Sequence, residues 1–382
     1  MVYYNLDPID KIGATINIIY GERSNGKSWQ VKHRKGINPY ISDSIRYRRD
    51  YRAKDKIIEE TIKAGTRFML VRREKEEISN DKLQQYLADI DIMAITKDKY
   101  NCFDIYNKGI YLAVYDIETG KTKRYEKIGY AVALSTEQNY AGASYLDVND
   151  IIMEEFMSRK PYLSNEPDKL MNLYSTVDRK RGTTRLWLVG NSISRVCPYL
   201  NDWGLMDMIR TIKQGEIKTK WIDTKDVDED GNKIEVLLAM EYCRDSGRSS
   251  FVIGKHANML NKGEWQTDPQ PHLKKSYKEY KFLYRIGFQY QSFKFLADYL
   301  MDDDSNTLWF IYPYNREFKK DLLVFSDIIK ESNYWQKDIY NPSIRNDNLR
   351  NLLQTFRENK IFYATDLVGT DFKQAIDFII RK

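Results

Sequence analysis

Cysteine and histidine are scarce, with three of each in 382 residues. Cys102, Cys197 and Cys243 lie far apart, and no C-x-x-C pair occurs. A disulfide framework needs paired cysteines and a zinc site needs clustered thiolates or imidazoles, so neither is expected, and the usage points to a reducing compartment. His33, His256 and His272 are equally scattered and match no metal-ligand spacing. No apolar stretch approaches the ~20 residues that a bilayer crossing needs, so no membrane partner is expected. The opening "MVYYNLDPIDKIG" has neither a basic n-region nor a long apolar segment and does not read as a secretory signal. Neither sign of charge dominates: 61 basic against 55 acidic side chains leave a net +6, compatible with a polyanionic partner without demanding one.

What is present is concentrated near the start. Residues 18–31 read "IIYGERSNGKSWQV", and Gly21 to Ser28 spell G-x-x-x-x-G-K-S. The preceding "INIIY" is a short β-branched run, as a buried parallel strand requires. The following "KSWQVKHRK" lacks Gly and Pro, ends in cations and is closed by Gly36, which are helix-stop signals. A strand, a glycine-rich loop and a helix start form a phosphate loop. Its residues Gly21, Arg23, Ser24, Asn25, Gly26, Lys27 and Ser28 would cradle a nucleoside triphosphate. Lys27 would reach the β- and γ-phosphates and the Ser28 hydroxyl would ligate Mg²⁺.

Strands and helices then alternate. Phe68–Val71 predict a second buried strand ending in Arg72 and Arg73, and Asp81–Ile90 a helix. Gly109–Leu134 predict antiparallel strands around a turn at Glu118–Gly120. "DVNDIIMEEF", a helix over "PDKLMNLYSTVDRKR" and the strand Thr184–Asn191 follow. This implies an α/β domain over 1–210, a mostly parallel sheet with helices on both faces. Lys213–Val236 is highly charged with a turn at Asp228–Gly231, so 211–277 is expected to be a linker region. Residues 278–382 turn alternating and aromatic, then helical, and predict a β-rich α+β domain.

Triphosphate hydrolysis needs one acid for the magnesium side and one to orient water, usually where a strand beside the loop ends. "IIMEE" supplies Glu154 for the metal and Glu155 for the water. Asp116, after "IYLAVY", is the rival, but its hairpin aims it away from a parallel core. Asn191, ending a neighbouring strand, is placed to sense the γ-phosphate, or else simply forms a turn after Gly190. Arg179, Arg181 and Arg185 sit on a helix-to-strand loop from which a guanidinium could enter a neighbouring subunit's site. Arg23 is the candidate acting in cis. "RYRRDYRAKDK" offers Arg46, Arg48 and Arg49, interleaved with tyrosines, for a nucleic-acid backbone, or as a solvated helix face.

In this order the motifs resemble the double-stranded DNA packaging ATPases of small Picovirinae-type tailed phages, relatives of the large terminase subunit. "GERSNGKS", "FMLVRREK", "YAVALSTEQNYAGASYLDVNDIIMEEF", "MNLYSTVDRKRGTTRLWLVGNSISRVCPYL" and, more weakly, "FVIGKHANMLNKGEW" carry the resemblance. It implies a terminase-like P-loop NTPase of the ASCE class, followed by a ribonuclease-H-like domain with a vestigial nuclease. It implies ATP and Mg²⁺ as cofactors, with Lys27 and Ser28 as the Walker A pair and Glu154 and Glu155 as the Walker B pair. Arg179 or Arg181 would be the finger in trans, and Lys75 a basic residue facing the lumen. The first Walker B acid is usually Asp in this family, and here it is Glu154. The implied partners are double-stranded DNA, the portal of an empty procapsid, a homo-oligomeric ring, commonly a pentamer, and a packaging RNA or small terminase component. The location would be the host cytoplasm, transiently at the portal vertex. Asp298, Asp366 and Asp371 are the nuclease candidates, but no nuclease motif flanks them, so this half is expected to grip nucleic acid without cutting it. A P-loop phosphotransferase and a nucleotide-regulated binding module are the alternatives.

Overall fold

The computed structural model describes residues 4–21, 67–88, 90–140, 142–158, 161–227, 231–244, 265, 268–290, 292–326, 334–336 and 354–380. The chain forms two compact units. The first comprises Met1–Ile193, Asp207–Val252 and Asn258–Glu264; the second comprises Ser194–Met206, Ile253–Ala257 and Trp265–Lys382. The helices are α1 (Asp7–Asp10), α2 (Asn80–Leu87), α3 (Ile92–Thr96), α4 (Glu166–Asp178), α5 (Pro198–Asp202), α6 (Met206–Thr211) and α7 (Asp366–Ile380). Among the described residues no helix is long and apolar enough to cross a membrane.

The first unit is built on nine strands: β1 (Ile16–Gly21), β2 (Arg67–Arg72), β3 (Cys102–Tyr106), β4 (Gly109–Asp116), β5 (Lys121–Ala133), β6 (Val148–Glu154), β7 (Arg185–Asn191), β8 (Glu216–Val227) and β9 (Lys233–Tyr242). Their order is β3-β4-β5-β2-β6-β7-β1-β9-β8. The run from β5 to β9 is parallel, and antiparallel ribbons close both edges. A parallel strand covered on both faces must be apolar at successive positions, and all six residues of β1 are buried. Ile19, Phe68, Leu70, Ile152 and Trp187 share one core with Leu83 and Leu87 of α2 and Ile92 and Ile95 of α3. Alternation sends Ile18, Met69, Ile151, Met153, Leu186 and Leu188 to the opposite face, where they are buried as fully. Each such side chain contributes about 1.5–3 kcal/mol on burial, so a slip in register would cost far more than any single contact can return.

The expectation of a linker over 211–277 is corrected for the described residues of that span. Residues Glu216–Val227 and Lys233–Tyr242 are strands of the first sheet, and β9 pairs directly with β1, Ile16 opposite Leu238 and Tyr20 opposite Tyr242. The charged texture belongs to β8, an exposed edge strand, where Lys and Asp deter further pairing. The first sheet therefore extends past residue 210 to Tyr242, and the second unit includes Ser194–Met206 as well as residues from 268 onward.

The second unit carries β10 (Lys281–Tyr290), β11 (Phe293–Met301), β12 (Thr307–Pro313), β13 (Val324–Ser326), β14 (Tyr334–Gln336) and β15 (Lys360–Tyr363), in the order β14-β13-β10-β11-β12-β15. β10, β11 and β12 are antiparallel neighbours; β13 is parallel to β10, and β14 to β13. β15 is added beside β12, parallel to it. Phe288, Phe295 and Phe356 pack around Phe372 of α7, with ring centroids 5.1, 5.4 and 6.4 Å from it. Part of the aromatic alternation of the sequence, Phe288, Tyr290, Phe293 and Phe295, is thus buried in this unit, whereas Phe282 and Tyr284 at the start of β10 stay exposed.

Candidate functional site: the carboxyl edge of the first sheet

Parallel strands end on one edge, and β1, β7, β6 and β2 bring their last residues there together. β1 ends at Gly21, the first glycine of the G-x-x-x-x-G-K-S pattern. Gly21 has φ +154°, and a Cβ there would stand 3.1 Å from the Cβ of Cys243, so the end of β1 favours glycine. Arg23, Ser24, Asn25, Gly26, Lys27 and Ser28 lie outside the described residues, as do Arg46, Arg48 and Arg49.

Asn191 stands directly opposite Gly21 in the β1–β7 register, and the Ser192 amide donates to the Gly21 carbonyl at 3.1 Å. This side chain therefore ends its strand beside the loop's first residue, as expected from sequence. Glu154 is one strand further: it closes β6 in register with Val189 of β7, so β7 separates it from β1. The expectation of a strand immediately beside the loop strand is corrected to the second neighbour. Two inter-strand spacings put the end of β6 about 10 Å from the end of β1.

The two glutamates are set differently. Glu154 is half-buried, and its carboxylate accepts a hydrogen bond from the Tyr86 hydroxyl at 3.0 Å. Glu155 leaves the strand in a left-handed conformation, φ +58°, which costs a non-glycine residue on the order of 1 kcal/mol or more. The turn puts its side chain at 63% exposure. Arg72, the last residue of β2, reaches both: its Nη2 donates to Glu155 Oε2 at 3.2 Å, and its Nη1 lies 3.8 Å from Glu154 Oε2. Arg72 and Tyr86 were not identified from sequence as site residues. The signal for Arg72 was its place as the first of two cations closing an apolar strand. Tyr86 gave no signal beyond helical spacing. Lys75 is exposed on the short 3-10 turn Lys75–Ile78 that follows β2.

The candidate arginines occupy the opposite edge, where α4 ends and β7 begins. Arg181 is consumed there. Its guanidinium donates to the carbonyls of Leu146 at 2.6 Å, Val148 at 2.8 Å, and Asp178 and Val177 at 3.1 Å. Asp178 answers from the same turn. Burial raises its carboxyl's pKa, but the Gly182 and Thr184 amides and Arg181 more than offset this and hold it below the usual range. Arg179 caps α4 at φ +48° and makes one exposed bond, to the Ala143 carbonyl at 2.9 Å. Arg185 is tied to Asp10 at 3.0 Å and Asp150 at 3.2 Å. Asp116 sits at the tip of the β4–β5 hairpin, accepting the Glu118 and Thr119 amides, with β5 and β2 between its strand and β6.

In the second unit each candidate acid has its own cation. Asp298 is wholly buried and accepts from Arg285 at 2.6 and 2.8 Å, Tyr277 at 2.6 Å and Tyr312 at 3.2 Å. Burial, then the bond to Asp298, pushes the Tyr277 phenol up to about 12. Asp371 pairs with Arg195 at 2.6 Å and Asp366 with His272 at 2.9 Å. Among the described residues no three His, Cys, Asp or Glu side chains form a group that could hold a metal ion.

The family model for the podovirus DNA encapsidation protein (Gp16) matches residues 44–368. The chain belongs to this family. It is accordingly a viral DNA packaging protein. It is similar to the DNA packaging protein of Bacillus phage phi29, with 24% identity over 294 residues, 75% of this chain and 73% of that protein. The corresponding protein of Bacillus phage B103 is 26% identical over 282 residues, 72% and 71% of the two chains. Among solved structures, a chain of the bacteriophage Phi-29 viral genome packaging motor assembly matches with a TM-score of 0.53 and 20% identity, over 99% of this chain and 100% of that one. The same overall fold is therefore shared. The family match begins after the phosphate loop, so the loop's assignment rests on its own residues and on the strand that leads into it.

Proposed function

We propose that this encapsidation protein is an ATP-driven motor subunit that moves double-stranded DNA into a preformed capsid, working in a ring whose interfaces hydrolyse ATP. The observation that carries the reading is one register: Gly21, Asn191 and Glu154 end parallel strands on a single edge, and Glu155 follows at once in the turn after Glu154. The residues present fit magnesium and a triphosphate. A glycine in a tight site opens the loop, a half-buried carboxylate stands two strands away, and an exposed one follows it. Ser28 and Glu154 would hold the metal, which when bound supplies charge neutralisation to the phosphates. Lys27 binds the phosphates. Glu155 takes a proton from the attacking water and orients it, and Asn191 registers the terminal phosphate beside Gly21. Arg179 serves as the finger in trans, since Arg181 is committed to carbonyls of its own subunit. Lys75, Arg46, Arg48 and Arg49 face DNA, and the second unit grips nucleic acid without cutting it. The subunits assemble at the portal vertex in the host cytoplasm.

The test is ATP hydrolysis by the full chain with and without duplex DNA. We expect stimulation by DNA, loss of nucleotide binding in Lys27→Ala, and intact binding with hydrolysis reduced on the order of 10²–10⁴-fold in Glu155→Gln. Normal turnover in Glu155→Gln, or stimulation only by a small phosphate acceptor, would replace the motor reading with a phosphotransferase or a binding module.

A further inference from the structure

We propose that a buried couple, Arg73 and Glu166, is the positioning element that holds the backbone turn from which the Glu155 side chain reaches the attacking water; this rests on the ATPase reading above. Arg73 is 5% exposed and Glu166 wholly buried, and neither takes part in the mechanism just described. The guanidinium meets the carboxylate with two bonds, Nε to Oε2 and Nη2 to Oε1, both 2.7 Å. Two further donors go to backbone: Nη2 to the Phe156 carbonyl at 3.1 Å and Nη1 to the Glu155 carbonyl at 3.4 Å. Glu166 Oε2 also accepts the Leu163 amide at 2.8 Å, and the Tyr162 ring lies 4.9 Å from the guanidinium. One cation thus closes the whole turn from the end of β6 to the start of α4.

Successive carbonyls of an extended strand point to opposite sides, so two in a row can face one guanidinium only if the chain bends between them. Glu155, at φ +58°, supplies that bend. The strained residue and the cation require one another. Phe156 fixes the other side of the turn: it is fully buried and lies over Gly190, where a Cβ would stand 2.9 Å from its ring. With both carbonyls and Phe156 held inward, the Glu155 side chain is left pointing out at the sheet edge. Stability alone does not explain the couple, because an apolar pair of similar volume would serve a core as well. A lysine would satisfy Glu166, but its single ammonium cannot span a carboxylate and two carbonyls.

The discriminating variant is Arg73→Lys in the full chain, with Glu166→Asp, which keeps the charge on a stem one methylene shorter, as the second. A displaced catalytic group costs on the order of 10²-fold in rate, so kcat for ATP should fall by about that factor. Affinity for a fluorescent ATP analogue, which depends on the loop, should stay within about twofold. Introducing Glu155→Gln into either variant should then cost much less than it costs the wild type, because the glutamate is already out of place. A kcat equal to wild type in both variants, or losses that simply multiply, would overturn the couple's role. If instead the wild type hydrolyses no ATP, the parent reading falls and the couple's role with it.

Discussion

Arg181→Ala and Arg179→Ala should separate a structural arginine from one available to a neighbouring subunit. Arg181 donates to four carbonyls and, at 3.3 Å, to the Thr184 hydroxyl. Truncation would leave the carbonyls of Val148 and Val177, at the start of β6 and the end of α4, without that donor. A part-buried carbonyl left unmet costs about 1–3 kcal/mol; water reaches the outer ones, and the losses are not additive. A total of about 2–4 kcal/mol follows, and for a unit of this size each kcal/mol moves Tm by about 2–4 °C. Thermal unfolding followed by circular dichroism should therefore show Arg181→Ala melting roughly 4–16 °C below wild type. Arg179 makes one exposed bond, so its truncation should move Tm by no more than about 2 °C. Hydrolysis should behave in reverse: a finger supplies on the order of 10³-fold, so Arg179→Ala should be almost inactive while fully folded. Doped into wild-type rings, it should depress activity more steeply than its fraction. An Arg181→Ala protein with unchanged Tm and hydrolysis reduced more than 10²-fold per folded subunit would refute the assignment, since a guanidinium committed to carbonyls cannot also be the finger.

Arg72→Gln removes an ion pair which, at 3.2 Å to an exposed carboxylate, is worth about 1 kcal/mol, so the population of Glu155 directed at water should rise about fivefold. Basal ATPase without DNA should increase by up to that factor, and added salt should mimic the change. Gly190→Ala would place a Cβ 2.9 Å from the Phe156 ring; overpacking of this kind costs about 1–3 kcal/mol, and we expect a lowered Tm together with a lowered kcat as the Glu155 turn shifts. In the second unit the Tyr363 carbonyl, with Asp366 beside it, holds the His272 imidazolium above its ordinary pKa. A raised histidine stabilises fully below the unfolded value near 6.5 and loses that contribution as pH rises through the folded value. Two-dimensional NMR of His272 should show its pKa above 6.5, lowered in Asp366→Asn.

The central sheet was legible because parallel strands advertise themselves. "INIIY", "FMLV", "IIM" and "LWLV" are short apolar runs punctuated by polar residues, and each became a strand of the parallel core. The hairpin at Glu118–Gly120 was legible from its turn chemistry, and its antiparallel pairing removed Asp116 from consideration. What failed was β8 and β9. An edge strand needs no apolar face, so "EIKTKWIDTKDV" carried charge where the reading equated charge with linker. The apolar "VLLAM" of β9, buried beside β1, was there to be read but was outweighed by its surroundings.

Residue type marked the glutamates as candidates, but their inequality came from the backbone. Glu154 ends a strand and inherits its half-burial; Glu155 begins a turn and inherits its exposure from a left-handed φ that no pattern of residues announces. The two arginines after "FMLV" show the same limit. At the end of a pleated strand, neighbouring side chains leave in opposite directions. Arg72 therefore went outward to the carboxylates and Arg73 inward to Glu166. Sequence supplies two adjacent cations; only the pleat and the long return to α4 determine that one meets the Glu154 and Glu155 carboxylates while the other meets the Glu155 and Phe156 carbonyls. A site of this kind is encoded less in its motif than in the positions that make the motif's turn obligatory, and those are Arg73, Glu166 and Gly190.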